Sequence, residues 1–323
     1  MLNNSTEKLF DTLIHAHNEH NLVMDFAMGP NQGQGVPAHE NEDGLMWDLN
    51  LYQASVPVGG SFDDTIPGWG TGKLQTVITG LVTKAENSSA AEPSLPNNPP
   101  SDRLQKTLAT STLEDVTDQV GKDGHLKVDF GSDATGGGLE NIVFAVYLVH
   151  SNVRNQAGPT QLLGPQTQPQ NFIQNGSWTV DHFSARGAKV MTDFWEKYLL
   201  VDGTKEALKK VGNYAWEDSV ENNPNIHWTR DLPEAFEARR GYSVNKWLPI
   251  LFHQNSLLEH FSTWFITDEP DAGNSHIADY RTTVCVLVLG GYFSSVIYAH
   301  ALLAHRDVWG VFGRIDRLGQ RGA

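Results

Sequence analysis

Leu22-Val-Met-Asp-Phe-Ala-Met28 runs directly into Gly29-Pro-Asn-Gln-Gly-Gln-Gly35, and the fold turns on how that junction is read. Only Asp25 interrupts the apolar run, which is short and closed by Gly29-Pro30. That pattern predicts a buried strand followed by a loop. Just upstream, Leu9, Phe10, Leu13, Ile14 and His17 fall at helical spacing, and Asn4 with Glu7 forms a partial capping pair, so residues 5–20 read as an amphipathic helix. Helix, buried strand and polar glycine-rich loop is the rhythm of an α/β barrel, whose ligand-binding residues lie on the loops that follow the strands. Asn31 and Gln32 are therefore candidate ligand contacts; the competing reading is a plain turn held by Gly29-Pro30.

Further along, the pattern changes. From about Leu45 the sequence turns β-rich: Leu74 to Thr83 alternates apolar with Thr or Gln, and His125 to Phe130 alternates too. Residues 86–102 are rich in Ser, Asn and Pro and read as an exposed loop. We expect a β-rich insertion over 45–135. Asn141 to His150 is an apolar strand with which the core resumes. Residues 179–200 read as the strongest helix, with Phe183, Ala188, Met191, Phe194, Trp195, Tyr198 and Leu199 in one stripe. Asn213 to Trp216 reads as a short strand, and Asp231 as the cap of a helix with Pro233 and Glu234 in its first turn and Gly241 closing it.

The composition narrows the function. The chain has 323 residues and a formal charge of −15, from 38 acids against 23 Lys plus Arg. That balance repels phosphate backbones, so no nucleic-acid partner is expected; a neutral ligand such as a sugar fits better. The single Cys285 excludes an internal disulfide framework. The N-terminal residues show no signal-peptide pattern, and the Asn-x-Ser/Thr acceptors at Asn3, Asn4, Asn87 and Asn175 support secretion weakly. His15, His17 and His20 are spaced by two and three, not as a zinc pair on one helix face. Gly131 to Gly138 lacks the Lys of a phosphate loop, and no Gly-x-Ser-x-Gly elbow is present.

Tyr214-Ala-Trp-Glu-Asp-Ser-Val-Glu221 places three carboxylates, Glu217, Asp218 and Glu221, behind a short aromatic strand. Carboxylates emerging at a strand end suit acid/base hydrolysis of a sugar bond; the competing reading is a solvated acidic turn before a helix. Asp181 and His182 stand at a strand-to-helix junction, as sugar ligands or as an N-cap acid with a packed histidine. Trp178, Trp216 and Trp228 are candidate stacking platforms, with a core role as the alternative.

Gly176-Ser-Trp-Thr-Val-Asp-His-Phe-Ser-Ala185 resembles glycoside hydrolase family 106, the α-L-rhamnosidases, particularly its fungal secreted members. Three more segments agree in type and order: Asp25 to Gly35, Glu217 to Glu221, and Trp228 to Tyr242 followed by Leu248-Pro249. The likeness runs from about residue 7 to about residue 283. The resemblance implies a (β/α)-barrel enzyme that removes terminal α-L-rhamnose from a glycan or glycoside by inversion. One protonated carboxyl gives its proton to the leaving oxygen while a second carboxylate activates water. By that resemblance Glu221 is the general acid, with Glu217 the substitute candidate. Asp218 orients the loop or bonds a sugar hydroxyl, and Asp181, His182 and Asn31 hold the sugar. Calcium is implied near the sugar, with ligands expected outside this chain, and an extracellular location is implied as well.

The family pattern should continue past Thr283, but residues 284–323 contain no Glu. The matched barrel portions, 1–44 and 136–283, sum to about 190 residues, where a full barrel takes about 250. The expectation is thus an α/β protein: an incomplete, TIM-like (β/α)-barrel with a β-rich insertion at 45–135 and an atypical tail at 284–323. In a truncated chain of this kind weak or absent activity is expected. The alternatives are a non-catalytic carbohydrate-binding or inert remnant, and a protein tethered to a membrane through 284–304, which carries no charged residue. A buried core segment or a non-native tail is preferred for that stretch. The sequence leaves the oligomeric state open.

Overall fold

Strands and helices appear where the sequence alternates with period two or near 3.6. The computed structural model describes residues 4–27, 35–38, 41–88, 103–131, 136–151, 177–216, 224–255 and 263–293. In chain order these hold α1 (Asn4–Glu19), β1 (Met24–Ala27), β2 (Gly35–Pro37), β3 (Trp47–Val56), β4 (Ser61–Thr65), β5 (Lys73–Ser88), β6 (Arg103–Leu108), β7 (Glu114–Asp115), β8 (His125–Asp129) and β9 (Glu140–His150). There follow β10 (Ser177–Thr179), α2 (Ala185–Tyr198), α3 (Thr204–Val211), β11 (Gly212–Trp216), α4 (Leu232–Arg240), α5 (Leu248–Asn255), β12 (Thr263–Thr267) and α6 (Pro270–Leu287). The chain divides into two compact units, one of Met1–Met46, Asn152–Asn222 and Val288–Ala323, the other of Trp47–Ser151 and Asn223–Leu287.

The second unit is built on a six-stranded sheet ordered β12-β6-β5-β9-β3, with β7 added to β5. All its pairings are antiparallel except β12 with β6, where Thr263 to Thr267 run parallel to Leu104 to Leu108. β9 explains its own apolar sequence. Ile142, Phe144, Val146 and Leu148 enter one hydrophobic core, while Val143, Ala145 and Tyr147 enter another. Successive side chains point to opposite faces, so a strand covered on both sides must be apolar throughout. Leu232, Phe236, Leu248, Ile250, Leu251, Phe252, Ile277 and Tyr280, from α4, α5 and α6, cover the first face. Phe62 and Leu126, from the two-stranded β4–β8 ladder, join the second.

In the other unit the two ladders are short. β1 pairs parallel with β11, and β2 pairs antiparallel with β10. Their core gathers Ile14, Val36, Leu45, Trp178, Val180, Met191, Trp195, Leu208 and Val211. α1 packs against α3, with Thr204 Oγ1 donating to Asp11 Oδ1 at 2.6 Å.

Several expectations are corrected. The fold is mixed α/β, but the described residues form no closed barrel: in the first unit each strand is bonded in a two-stranded ladder. The inward face of α1 is set by Ile14, fully buried, and the partly buried Phe10; Leu9 and Leu13 are 60% and 42% exposed. The expected helix over 179–200 begins only at Ala185, because Ser177–Thr179 are taken by β10 and 181–184 by a turn. Phe183 therefore belongs to the turn, and the buried stripe of α2 is Gly187, Ala188, Met191 and Trp195. The helix closes at Gly241 as read, with φ +77° and its N–H returning to the Glu237 carbonyl at 2.8 Å; Asp231 holds the N-cap position but makes no side-chain cap hydrogen bond there. From Val284 the chain continues α6 and then forms a π-helical turn, Val288–Phe293; residues 294–304 lie outside the described ones. No described helix is long and apolar enough to cross a membrane.

Candidate functional site

The junction from β10 into α2 carries the first pair of candidate residues. Trp178 stands opposite Val36 in the β10–β2 ladder, and Val180 bridges to Leu45. The Asp181 N–H donates to the Gly44 carbonyl at 2.9 Å. Strand pairing thus ends at Asp181, and the chain turns. Asp181 Oδ1 accepts the Phe183 N–H at 2.9 Å, and Oδ2 accepts the Ser184 hydroxyl at 2.7 Å. Such local bonds are why Asp favours turns that open helices. Asp181 is fully buried and His182 is 2% exposed. The His182 Nδ1 lies 2.9 Å from the Val180 carbonyl. A carbonyl only accepts, so Nδ1 bears the proton and Nε2 of the neutral ring is an acceptor. Burial holds the imidazole down to about 4, against a smaller upward pull from the Val180 carbonyl. His182 is therefore neutral at pH 7.

Two glycines let α2 approach this turn. A Cβ on Gly187 would stand 2.0 Å from the Asp181 carbonyl oxygen, and one on Gly44 would stand 2.6 Å from the Arg186 carbonyl oxygen. The helix N-terminal turns therefore meet backbone directly, which fixes where Asp181 and His182 sit.

The β1–β11 ladder carries the second group. Met24 pairs with Gly212, Phe26 with Ala215 and Ala27 with Trp216, in parallel. Both chains leave the ladder at the same edge. In sequence, the segment after β1 bears Asn31 and Gln32, and the one after β11 bears Glu217, Asp218 and Glu221. These five residues lie outside the described ones, as does the Trp216 side chain. Trp178 is 3% exposed in the core of its unit, and Trp228 is fully buried in the core of the other. Both rings pack against side chains.

One acid escaped the sequence reading. Asp48, in β3, is 7% exposed. Its carboxylate accepts the backbone N–H groups of Leu49 at 2.7 Å, Asn225 at 2.9 Å and Ile226 at 3.2 Å. Burial pushes it up to about 6, although all three bonds pull it down. A carboxyl near 6 is in the range of a general acid. Here, however, the carboxylate anchors Asn225 and Ile226 to β3. The nearby Tyr280 hydroxyl donates to the His227 carbonyl at 2.5 Å and is raised far above its usual range by burial and then by Asp48. An acid at a strand position whose neighbours enter the core was the available signal. As for calcium, no group of three or more His, Cys, Asp or Glu among the described residues is arranged to hold a metal.

No protein-family model matches the chain, and no curated protein matches it. Among solved structures it is similar to a rhamnosidase from Novosphingobium sp. PP1Y, with a TM-score of 0.58 and 14% identity. That likeness covers 94% of this chain and 40% of the rhamnosidase chain, so this chain spans about two-fifths of that protein's length. At such identity the likeness is one of fold: the architecture is rhamnosidase-like.

Proposed function

We propose that the chain belongs to a glycoside hydrolase that removes terminal α-L-rhamnose from glycans or glycosides outside the cell, and that it is related to family 106. The main support is the parallel β1–β11 register, in which Ala27 stands opposite Trp216. Two segments that carry sugar-binding and acidic residue types therefore continue from one edge of one ladder. The rhamnosidase-like fold adds support. In the proposed mechanism Glu221 protonates the departing oxygen, with Glu217 as the substitute acid, while a second carboxylate activates water on the opposite face. Asn31, Gln32, Asp218 and Trp216 contact the sugar. Asp181 shapes the turn after β10, and His182 beside it is the further residue assigned to holding the sugar.

The test is release of nitrophenol from 4-nitrophenyl α-L-rhamnopyranoside, with calorimetric titration of L-rhamnose in parallel. Removing a general acid costs about 10²- to 10⁴-fold in rate, so Glu221→Gln should lower turnover by that order while binding persists. Unchanged turnover removes Glu221 from the role. A chain that neither binds L-rhamnose nor releases nitrophenol overturns the proposal. Binding without turnover points instead to a carbohydrate-binding protein.

A further inference from the structure

Trp69 is the one aromatic among the large apolar side chains that stand exposed in the described residues; it is 40% exposed. The loop that presents it, Pro67-Gly68-Trp69-Gly70, is held from several sides. The buried Tyr147 donates its hydroxyl to the Pro67 carbonyl at 2.9 Å. Thr71 donates its N–H at 3.1 Å and its hydroxyl at 2.8 Å to the Gly68 carbonyl. Gly68, at φ +76°, lies against the Tyr52 ring, where a Cβ would come within 2.3 Å of Cδ2. The indole itself rests on Gly124, at φ +82°, where a Cβ would stand 2.2 Å from its Cδ2. Both positions need glycine twice over, for the backbone angle and for the ring above it.

The same loop follows directly on the β4–β8 ladder. The β4–β8 ladder ends at the pair Thr65–His125, and the Ile66 N–H then bonds the Gly124 carbonyl at 2.9 Å, directly beneath Trp69 in the chain path. On the exposed side of that ladder Asp63 meets His125 Nε2 at 3.1 Å and Lys127 Nζ at 2.6 Å. An aromatic ring held rigid by backbone, resting on Gly124, the chain neighbour of His125, matches the chemistry of a pyranose, which has an apolar face and a rim of hydroxyls.

We propose that Trp69 is a carbohydrate-binding platform on the β-rich unit, taking the apolar face of a pyranose in a neutral polysaccharide, and that it works independently of the hydrolytic site. Pre-organisation is what the held loop supplies: little side-chain freedom is lost when the sugar docks.

Affinity electrophoresis of the full chain through gels containing xyloglucan, galactomannan or mixed-linkage β-glucan, all neutral and built on pyranose backbones, tests this. At least one polysaccharide should retard the chain, and Trp69→Ala should weaken that binding at least about tenfold, near the worth of one aromatic stacking contact. Trp69→Phe should retain most of it, and Leu139→Ala, which removes another exposed apolar side chain, should leave it unchanged. Retardation by none of the three, or equal retardation of Trp69→Ala, overturns the proposal. A chain carrying Glu221→Gln, run alongside, should be retarded like the wild type, so a failed hydrolytic reading and a failed platform give different results.

Discussion

Burial keeps the His182 imidazole neutral down to about pH 4, whereas the same ring in the unfolded chain titrates near 6.5. Between those values the unfolded chain binds the proton and the folded chain does not. The contribution of His182 to stability is thus present above pH 6.5 and lost as pH falls toward 4, by up to on the order of 3 kcal/mol. Asp48 acts in the opposite sense. Its folded value of about 6 exceeds the unfolded 3.8, so its contribution is present at acid pH and lost as pH rises through that window. Removing the His182 term should therefore raise the urea unfolding midpoint at about pH 4.5 relative to that at about pH 7 in His182→Gln compared with the wild type, because the Asp48 term that remains favours the acid side. Asp48→Ala leaves the Asn225 and Ile226 N–H groups without their acceptor and should cost about 2–4 kcal/mol in the same assay at pH 7. Asp48→Asn, which keeps one acceptor oxygen, should cost less. A larger cost for Asn than for Ala would contradict the anchoring role.

At the level of elements, α2 is positioned by what its glycines lack. Gly187→Ala drives a methyl into the Asp181 carbonyl and should destabilise by about 2–4 kcal/mol, since neither backbone can retreat. Gly203→Ala is the comparison. That glycine, at φ +90°, has open space around it, so only the backbone penalty of roughly 1–2 kcal/mol applies. Thermal melts of the two variants check the order. Periodicity made α1, β1, β5, β8 and β9 legible, because each sets apolar side chains against a core and the pattern reports that packing. The start of α2 was not legible. Val180 and Phe183 are apolar at a spacing of three that a helix would also allow, and the Asp181 turn that separates strand from helix is a matter of local bonding rather than hydrophobicity. Leu9 and Leu13 misled for a related reason: they continue the stripe of α1, yet the core ends at Phe10 and Ile14.

Over the whole molecule, the charge of −15 sets a self-repulsion that salt screens. The melting temperature should rise by a few degrees between about 20 mM and about 500 mM NaCl, and a fall would show that specific surface ion pairs outweigh the net field. Of the candidate site, the sequence disclosed residue types and their order at strand ends. The sequence places Asp181 and His182 at a strand-to-helix junction, although it starts the helix itself at 179 instead of Ala185. The burial of Asp48 between core-facing neighbours was open to reading, but its bonds were not, since its partners Asn225 and Ile226 are 177 and 178 positions away and no local pattern announces such a bond. Barrel closure was also beyond reach, because it depends on which strand edges meet.

The parallel ladder also has a kinetic side. Met24 and Gly212 are pairing partners 188 positions apart along the chain. No hairpin can nucleate such a contact; the intervening polypeptide has to be gathered first, and its entropy is spent before the ladder returns anything. The rim from which both candidate segments depart should accordingly be among the last parts to assemble after dilution from denaturant, well after the antiparallel β3–β9 and β5–β9 pairings. Amide protons of Phe26 and Ala215 in a quenched-exchange experiment should acquire protection later than those of Phe144 and Val146.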